Sequence, residues 1–255
     1  MSTKALQKHQ ITIKLSNYPQ QSWSIIILCY NEVGNIGRVL QTVAALLPQL
    51  SNSRGELIVV NDGSTDGSHE KIVKFMAEFP AVPIQYIPHV TNLGIGAALH
   101  KGYAHAKSEN VVMIPGDGQF DVEELLPYKN LAPKTILAFY RVENMTYTLT
   151  RNILSWFNSW LNRLFIGLTL KDVNWVKAYK TAAVQDLSLE VQSSLVESEI
   201  CSKLLYLGHQ AIEVESKYWP RQTGASKGAS WAIVRQALYD IPILILAFRR
   251  FRKKQ

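Results

Sequence analysis

The chain is short of cysteine, of clustered histidine, of acid and of long apolar runs, and each shortage excludes a class of protein. Its 255 residues hold two cysteines, Cys29 and Cys201. That is too few for a disulfide framework, and neither lies at metal-ligand spacing from another Cys or His. A reducing compartment is the expectation. The six histidines form no ligand cluster. Met1 to Trp23 carries scattered lysines and no apolar stretch of the secretory kind, so no signal peptide is expected. The C-terminal apolar run falls well short of the roughly 20 residues that cross a bilayer. Arg235, Gln236 and Asp240 interrupt any longer window. Two phosphate-binding signatures are missing as well. There is no Gly-x-x-x-x-Gly-Lys-Ser/Thr loop, and Gly94-Ile95-Gly96 has Leu99 where a dinucleotide fingerprint needs its third glycine. Internal repeats and low-complexity segments are also missing. Acid is in deficit, with 20 Asp and Glu against 27 Lys and Arg for a net charge of +7. Such a balance favours anionic partners, meaning nucleotides, phosphates, acidic lipids or nucleic acid, without choosing among them.

A hydrophobic fraction of 47% is enough for a substantial core, as one large α/β domain or a domain with an appended lobe. Ser24–Cys29, Glu56–Val60, Ile84–Ile87 and Asn110–Ile114 read as strands, the first apolar without alternation and therefore buried on both faces. Between them, helical periodicity predicts Ile36–Leu47, limited by Pro48, a helix through Ile72, Phe75, Met76 and Phe79 closed by Pro80, and Ala97–Ala106. Strands alternating with helices imply a parallel sheet with right-handed crossovers. The segments Tyr30–Glu32, Asn61–Ser68, Asn92–Gly96 and Gly116–Gln119 each follow a strand. All four therefore converge on one crevice, at the carboxyl edge where open α/β sheets bind ligands.

The second half is less regular. A helix over Arg151–Phe165 carries Trp156, Phe157, Trp160, Leu161 and Leu164 at packing spacing. Glu197–Leu207 reads as a helix ending at Gly208, followed by a strand Ala211–Val214 and a basic loop from Tyr218 to Gly228. Near the C-terminus, Trp231, Val234, Leu238 and Ile241 share a helical face, with Gln236 and Asp240 opposite. Such a helix suits a membrane interface, the catalytic domain or a membrane-embedded partner protein. The tail Arg249–Gln255 is either solvated or a patch for anionic headgroups.

The chemistry sits in the loops. In Val111–Asp121 an apolar run ends in Asp117, flanked by Gly116 and Gly118, which permit a sharp turn and close approach to a ligand. Asp117 and Gln119 offer hard oxygens suited to Mg2+ or Mn2+ held jointly with substrate phosphates. Asp62 ends a strand where it can accept from a base or ribose, while Asp66 or Ser68 caps the following helix. Asn92-Leu-Gly-Ile-Gly96 opens a helix, a suitable place for phosphate.

These residues resemble the family 2 glycosyltransferases of GT-A fold, most closely the polyprenyl-phosphate branch of the dolichyl-phosphate mannose or glucose synthase type, from about Ser24 to Lys227. Cys29-Tyr-Asn-Glu32 is similar to the family's first nucleotide loop, Val60–Asp66 to its base-binding loop and Asn92–Gly96 to its Asn-x-Gly-x-Gly segment. Pro115-Gly-Asp-Gly-Gln119 resembles the Asp-x-Asp-x-Gln metal motif. Arg141, Arg151 and Asp172 fall where the branch has its middle motifs, and Pro220–Lys227 is similar to its Arg-x-x-Gly-x-Ser-Lys loop. There are two departures: Pro115 stands in place of the motif's first Asp, and Asn61 in place of the first of paired aspartates.

The resemblance implies an α/β chain with a single, mostly parallel sheet flanked by helices. It implies a lead-in (1–22), a catalytic domain (23–228) with a nucleotide-binding half (23–120) and an acceptor half (121–228), and a C-terminal amphipathic helix with basic tail (229–255). The donor is a GDP- or UDP-sugar at Tyr30, Glu32, Asp62, Asn92, Gly94 and Gly96, with Mg2+ or Mn2+ on Asp117 and Gln119. Transfer inverts the sugar, with Asp117, Arg221, Lys227, Arg141 and Arg151 expected to act in it. A phosphomonoester has a second pKa near ~6 and is mostly ionised at pH 7, so a polyprenyl phosphate acceptor needs cations more than a base. The four basic residues would supply that cradle. Glu197 or Glu199 would orient the basic loop or lie on a solvated helix face. A hydroxyl acceptor with a carboxylate such as Asp172 as base, or a silent nucleotide-sugar-binding protein, are the alternatives. The place implied is cytoplasmic, peripheral on the cytosolic face of a membrane, with no nucleic acid as partner.

Overall fold

Apolar runs that do not alternate demand cover on both faces, and the fold supplies it. The computed structural model describes residues 19–142, 166–221 and 231–255. Strands β1 (Trp23–Cys29), β2 (Glu56–Asn61), β3 (Ile84–Pro88), β4 (Asn110–Pro115), β5 (Thr135–Arg141), β6 (Lys177–Lys180) and β7 (Gln210–Ser216) form one sheet in the order β3-β2-β1-β4-β6-β5-β7. All pairings are parallel except those of β6, which runs against β4 and β5. Six strands therefore end at the same edge.

Helices α1 (Ile36–Leu50) and α2 (Ser68–Glu78) cover one face, with a 3-10 turn at Val122–Tyr128. Helices α3 (Ile95–His105) and α5 (Val196–Tyr206) cover the other, and the short α4 (Thr181–Gln185) follows β6. Alternate residues of β1 divide between the two cores, Ile25 and Ile27 on one side and Ile26 on the other, all fully buried. Burying each such side chain contributes roughly 1.5–3 kcal/mol.

Two expectations are corrected here, and one unpredicted strand is explained. Helix α1 continues two residues beyond Pro48. A proline in the last turn forfeits one backbone bond, and Leu46, Leu47 and Leu50 in the core outweigh it. The short strand β6 is not predicted by periodicity, because its first residue is Lys177. That lysine is buried, its Nζ donating to the carbonyls of Val173 and Trp175.

The C-terminal helix α6 (Trp231–Lys254) presents a different face from the one expected. Asp240 is turned inward and accepts from the amides of Gln192 and Ser193 at 2.9 and 2.7 Å. Leu244, Ala247 and Phe248 are buried beside it, and Tyr206 of α5 packs edge-on against Phe248 and Phe251. Leu238, Tyr239, Ile243 and Leu246 are exposed. No helix among the described residues is long and apolar enough to cross a membrane. Both cysteines are free and buried, and burial pushes each thiol up to about 11, which keeps it protonated and unreactive at neutral pH. The expected helix over Arg151–Phe165 lies outside the described residues.

Candidate active site

Asp117 follows the last residues of β4, in a turn that only glycine suits. Gly118 has φ +73°, and a Cβ there would lie 2.3 Å from Nη2 of Arg38. The turn is closed by the amide of Gln119 donating to Oδ1 of Asp117 at 2.9 Å. From the other end of the chain, just past β7, comes Arg221. Its Nη2 donates to Oδ2 of Asp117 at 2.7 Å, its Nη1 to Oε1 of Glu32 at 2.9 Å and its Nε to Oε1 of Gln119 at 3.3 Å. Both carboxylates are buried.

Glu32 is brought there by Asn31, whose left-handed backbone (φ +53°) curls the chain after β1. Asn35 donates to its other oxygen at 2.8 Å. The strand edge is tied down by Gln119, whose Nε2 donates to Tyr218 Oη at 2.6 Å, and by the Phe120–Tyr218 bridge.

The loops after β1, β2 and β3 are zipped together. Asn31 Oδ1 accepts from the amide of Thr65, and its own amide donates to Ser64 Oγ. Asp66 accepts from the amides of Val33 and Ser68 and from the Ser68 hydroxyl. Burial pushes the Asp66 carboxyl up, but these bonds outweigh it and hold it below the usual range. Gly67, not Asp66 or Ser68, is the N-cap of α2, with Asp66 immediately before it. Asp62 lies between loops: its oxygens accept from the amides of Leu93 and Gly94, each at 2.9 Å, and face His89 Nδ1 at 2.7 Å. Two amides of the Asn92–Gly96 segment are thus spent on Asp62. Gly96 serves close packing, since a Cβ there would meet the Gln192 carbonyl oxygen at 1.9 Å. Gly96→Ala is expected to lower stability by about 1–3 kcal/mol through overpacking, read by thermal unfolding. An unchanged midpoint would refute that account.

At the end of β5, Arg141 makes a two-pronged ion pair with Asp172, Nε to Oδ2 at 2.7 Å and Nη2 to Oδ1 at 3.1 Å. Its guanidinium lies 4.7 Å from the Trp175 ring centroid and 5.7 Å from that of Tyr218. Tyr218 therefore links Arg141 to the Gln119–Arg221 cluster. Asp172 is committed to Arg141, and this geometry does not offer it as an open base.

Arg151 and Lys227 lie outside the described residues. Glu197 and Glu199 neither orient Arg221 nor face solvent. Glu197 is buried and accepts from the hydroxyls of Tyr103 and Tyr179, each at 2.5 Å. Glu199 is fully buried, pairs with Lys203 at 2.6 Å and accepts from the amides of Glu190 and Val191. Tyr30, Leu93 and Trp219 are exposed. A pocket of about 360 Å³ beside the cluster is lined by Arg38, Pro115, Gly118, Asp121, Trp219 and Arg221 among others. Sequence reasoning missed Arg38 and His89. The signal for Arg38 is a cation in the first turn of a helix, against the macrodipole.

Fitness for a divalent cation turns on three oxygens. Asp117 Oδ2, Glu32 Oε1 and Gln119 Oε1 all accept from the one Arg221 guanidinium. They already serve a cation, and hard oxygens of this kind suit Mg2+ or Mn2+. No group of three or more His, Cys, Asp or Glu side chains able to hold a metal occurs among the described residues, and Pro115 contributes no ligand. The remaining ligands would have to come from the donor's phosphates.

Comparison with known proteins gives the fold and the family. The chain is 25% identical over 237 residues to the undecaprenyl-phosphate mannosyltransferase of Micrococcus luteus, covering 88% of this chain and 94% of that one. It is 30% identical over 110 residues to a dolichyl-phosphate beta-glucosyltransferase of Trichomonas vaginalis, covering 42% of this chain. The match spans only about a third of that relative's length (33%). The mannosyltransferase PcManGT from Pyrobaculum calidifontis, solved in complex with GDP-Man and Mn2+, superposes with a TM-score of 0.60 at 16% identity, covering 96% of this chain and 81% of that one. That likeness shows the GT-A fold. Residues 24–184 match the glycosyl transferase family 2, more than half of the chain, and the chain belongs to that family.

Proposed function

We propose that the chain moves a sugar, with inversion, from a GDP- or UDP-sugar to a polyprenyl phosphate at a membrane surface. The observation that carries this reading is the commitment of the crevice carboxylates. Glu32 and Asp117 are held by Arg221, Asp172 by Arg141, and Asp62, Asp66 and the pocket-lining Asp121 accept from backbone amides. An acceptor hydroxyl needs a positioned, open base, whereas a phosphate monoester arrives ionised and needs cations. The edge supplies those cations. In the proposed reaction a phosphate oxygen attacks the anomeric carbon, and the bond from that carbon to the donor's diphosphate oxygen breaks. The nucleoside diphosphate leaves.

Tyr30, Asp62, Asn92, Gly94 and Gly96 form the wall against which the nucleotide lies, with Asp62 holding the loop after β3 in place. Asp117 and Gln119, with Glu32, would hold Mg2+ or Mn2+. Such an ion, when bound, neutralises charge on the leaving diphosphate. Arg221 and Arg141, with Arg151 and Lys227 from the neighbouring segments, bind the acceptor phosphate, for which a planar guanidinium is suited. The exposed Leu238, Tyr239, Ile243 and Leu246 of α6 and the basic tail after them suit an anionic lipid surface, which would put the enzyme on a cytosolic leaflet. The two relatives, an undecaprenyl-phosphate mannosyltransferase and a dolichyl-phosphate beta-glucosyltransferase, support this choice of acceptor.

The test is a panel of GDP- and UDP-sugars offered with one polyprenyl phosphate and Mg2+ or Mn2+, read by mass spectrometry. One acid-labile lipid phosphosugar is expected. Turnover on soluble saccharides with no lipid product would favour the hydroxyl-acceptor alternative. Nucleotide binding without any turnover would favour a silent binding protein.

A further inference from the structure

Arg221 stands where a cation for the donor is needed. One guanidinium spans Asp117, Glu32 and Gln119, and the two carboxylates it neutralises are buried. A divalent ion on Asp117 and Gln119 and a guanidinium on the same oxygens are mutually exclusive. Leaving two buried carboxylates with no cation at all is costly, so Arg221 cannot depart unless another cation takes over.

We propose that Arg221 is a displaceable internal cation: it holds Asp117, Glu32 and Gln119 until a divalent ion replaces it, and is released by that exchange for the anionic acceptor. The inference rests on the donor-site reading above. It adds an order of events, in which the acceptor's arginine becomes available only after the donor site has been filled. Two observations point to exchange and not to simple screening. The fork uses three separate nitrogens on three acceptors, and the other two carboxylate oxygens, Asp117 Oδ1 and Glu32 Oε2, already accept from the Gln119 amide and from Asn35. The residue next to Arg221 on the chain side is Pro220, and the exposed Trp219 precedes it. The guanidinium is therefore carried on a segment at the surface and not on a buried element. Thermodynamic linkage then requires reciprocity: what weakens Arg221's hold strengthens the metal's, and the reverse.

The experiment is Mn2+ titration, followed by electron paramagnetic resonance or calorimetry, on the full chain without donor or acceptor. Arg221→Ala is expected to bind Mn2+ about 10-fold or more tightly than the wild type, and Arg221→Lys, which keeps the charge but loses the fork, at an intermediate strength. Because neither substrate is present, a wrong acceptor assignment leaves this result standing, and the two failures are told apart. Circular dichroism checks that each variant is folded, and Arg221→Gln serves if Arg221→Ala is not. Equal or weaker Mn2+ binding by the folded variants overturns the exchange. So does transfer activity that persists undiminished in the wild type under a chelator, since Arg221 would then be the resident cation and not a placeholder.

Discussion

Asp117→Ala is expected to lower kcat/KM for sugar transfer by about 10²–10³-fold, the usual loss when one preorganised electrostatic contact at developing charge is removed. The same carboxylate anchors Arg221 through Oδ2 and closes its own turn through Oδ1, so its loss affects both donor and acceptor sides. The fold should survive. Glu32 and Gln119 still hold Arg221, and Asp117 belongs to neither hydrophobic core. Thermal unfolding should therefore shift little while turnover collapses. Steady-state kinetics beside a melting curve reads both. A variant that keeps wild-type kcat/KM would remove Asp117 from the mechanism.

The second large effect is on stability, and lies far from the chemistry. Lys203→Ala should cost roughly 3–5 kcal/mol, because it strands Glu199 as an uncompensated buried charge. The pair is 2.6 Å long with both side chains essentially out of solvent. For a chain of this size each kcal/mol moves the midpoint by about 2–4 °C, so a drop on the order of 10 °C is expected. The double variant Glu199→Gln with Lys203→Met should recover much of the loss, since the Gln oxygen still accepts from the amides of Glu190 and Val191. If the double variant is no better than the single, the cost belongs to packing and not to the stranded charge.

How much of this was legible in the sequence depended on whether a residue's role was local. The strands β1, β2 and β4 announce themselves as apolar runs, and the turn residues after them mark the crevice, because parallel strands buried on both faces have few other ways to read, while β3, at the sheet edge, is only half-buried. Asp117, Gln119, Arg221 and Glu32 were all nameable as site residues. What was not legible is that one guanidinium ties the other three together, since 189 residues separate Glu32 from Arg221.

Away from the crevice, buried charge misled. Lys177 hid β6, Glu197 and Glu199 read as surface or loop-facing groups, and Asp240 read as the solvent side of α6. Each is satisfied by long-range partners, such as the Tyr103 and Tyr179 hydroxyls on Glu197 or the Gln192 and Ser193 amides on Asp240, which no local pattern displays. Asp62 is the intermediate case. Its place at a strand end was predictable, but its work, bonding the amides of Leu93 and Gly94 across the crevice, appears only when β2 and β3 are side by side.

The central claim is that this site serves an acceptor that arrives already ionised. The most direct measurement offers the enzyme, with its best nucleotide sugar, a polyprenyl phosphate in one reaction and the same polyprenol without its phosphate in another. Transfer to the phosphate alone is the predicted result. Comparable transfer to the polyprenol would contradict it and require an open general base at this edge.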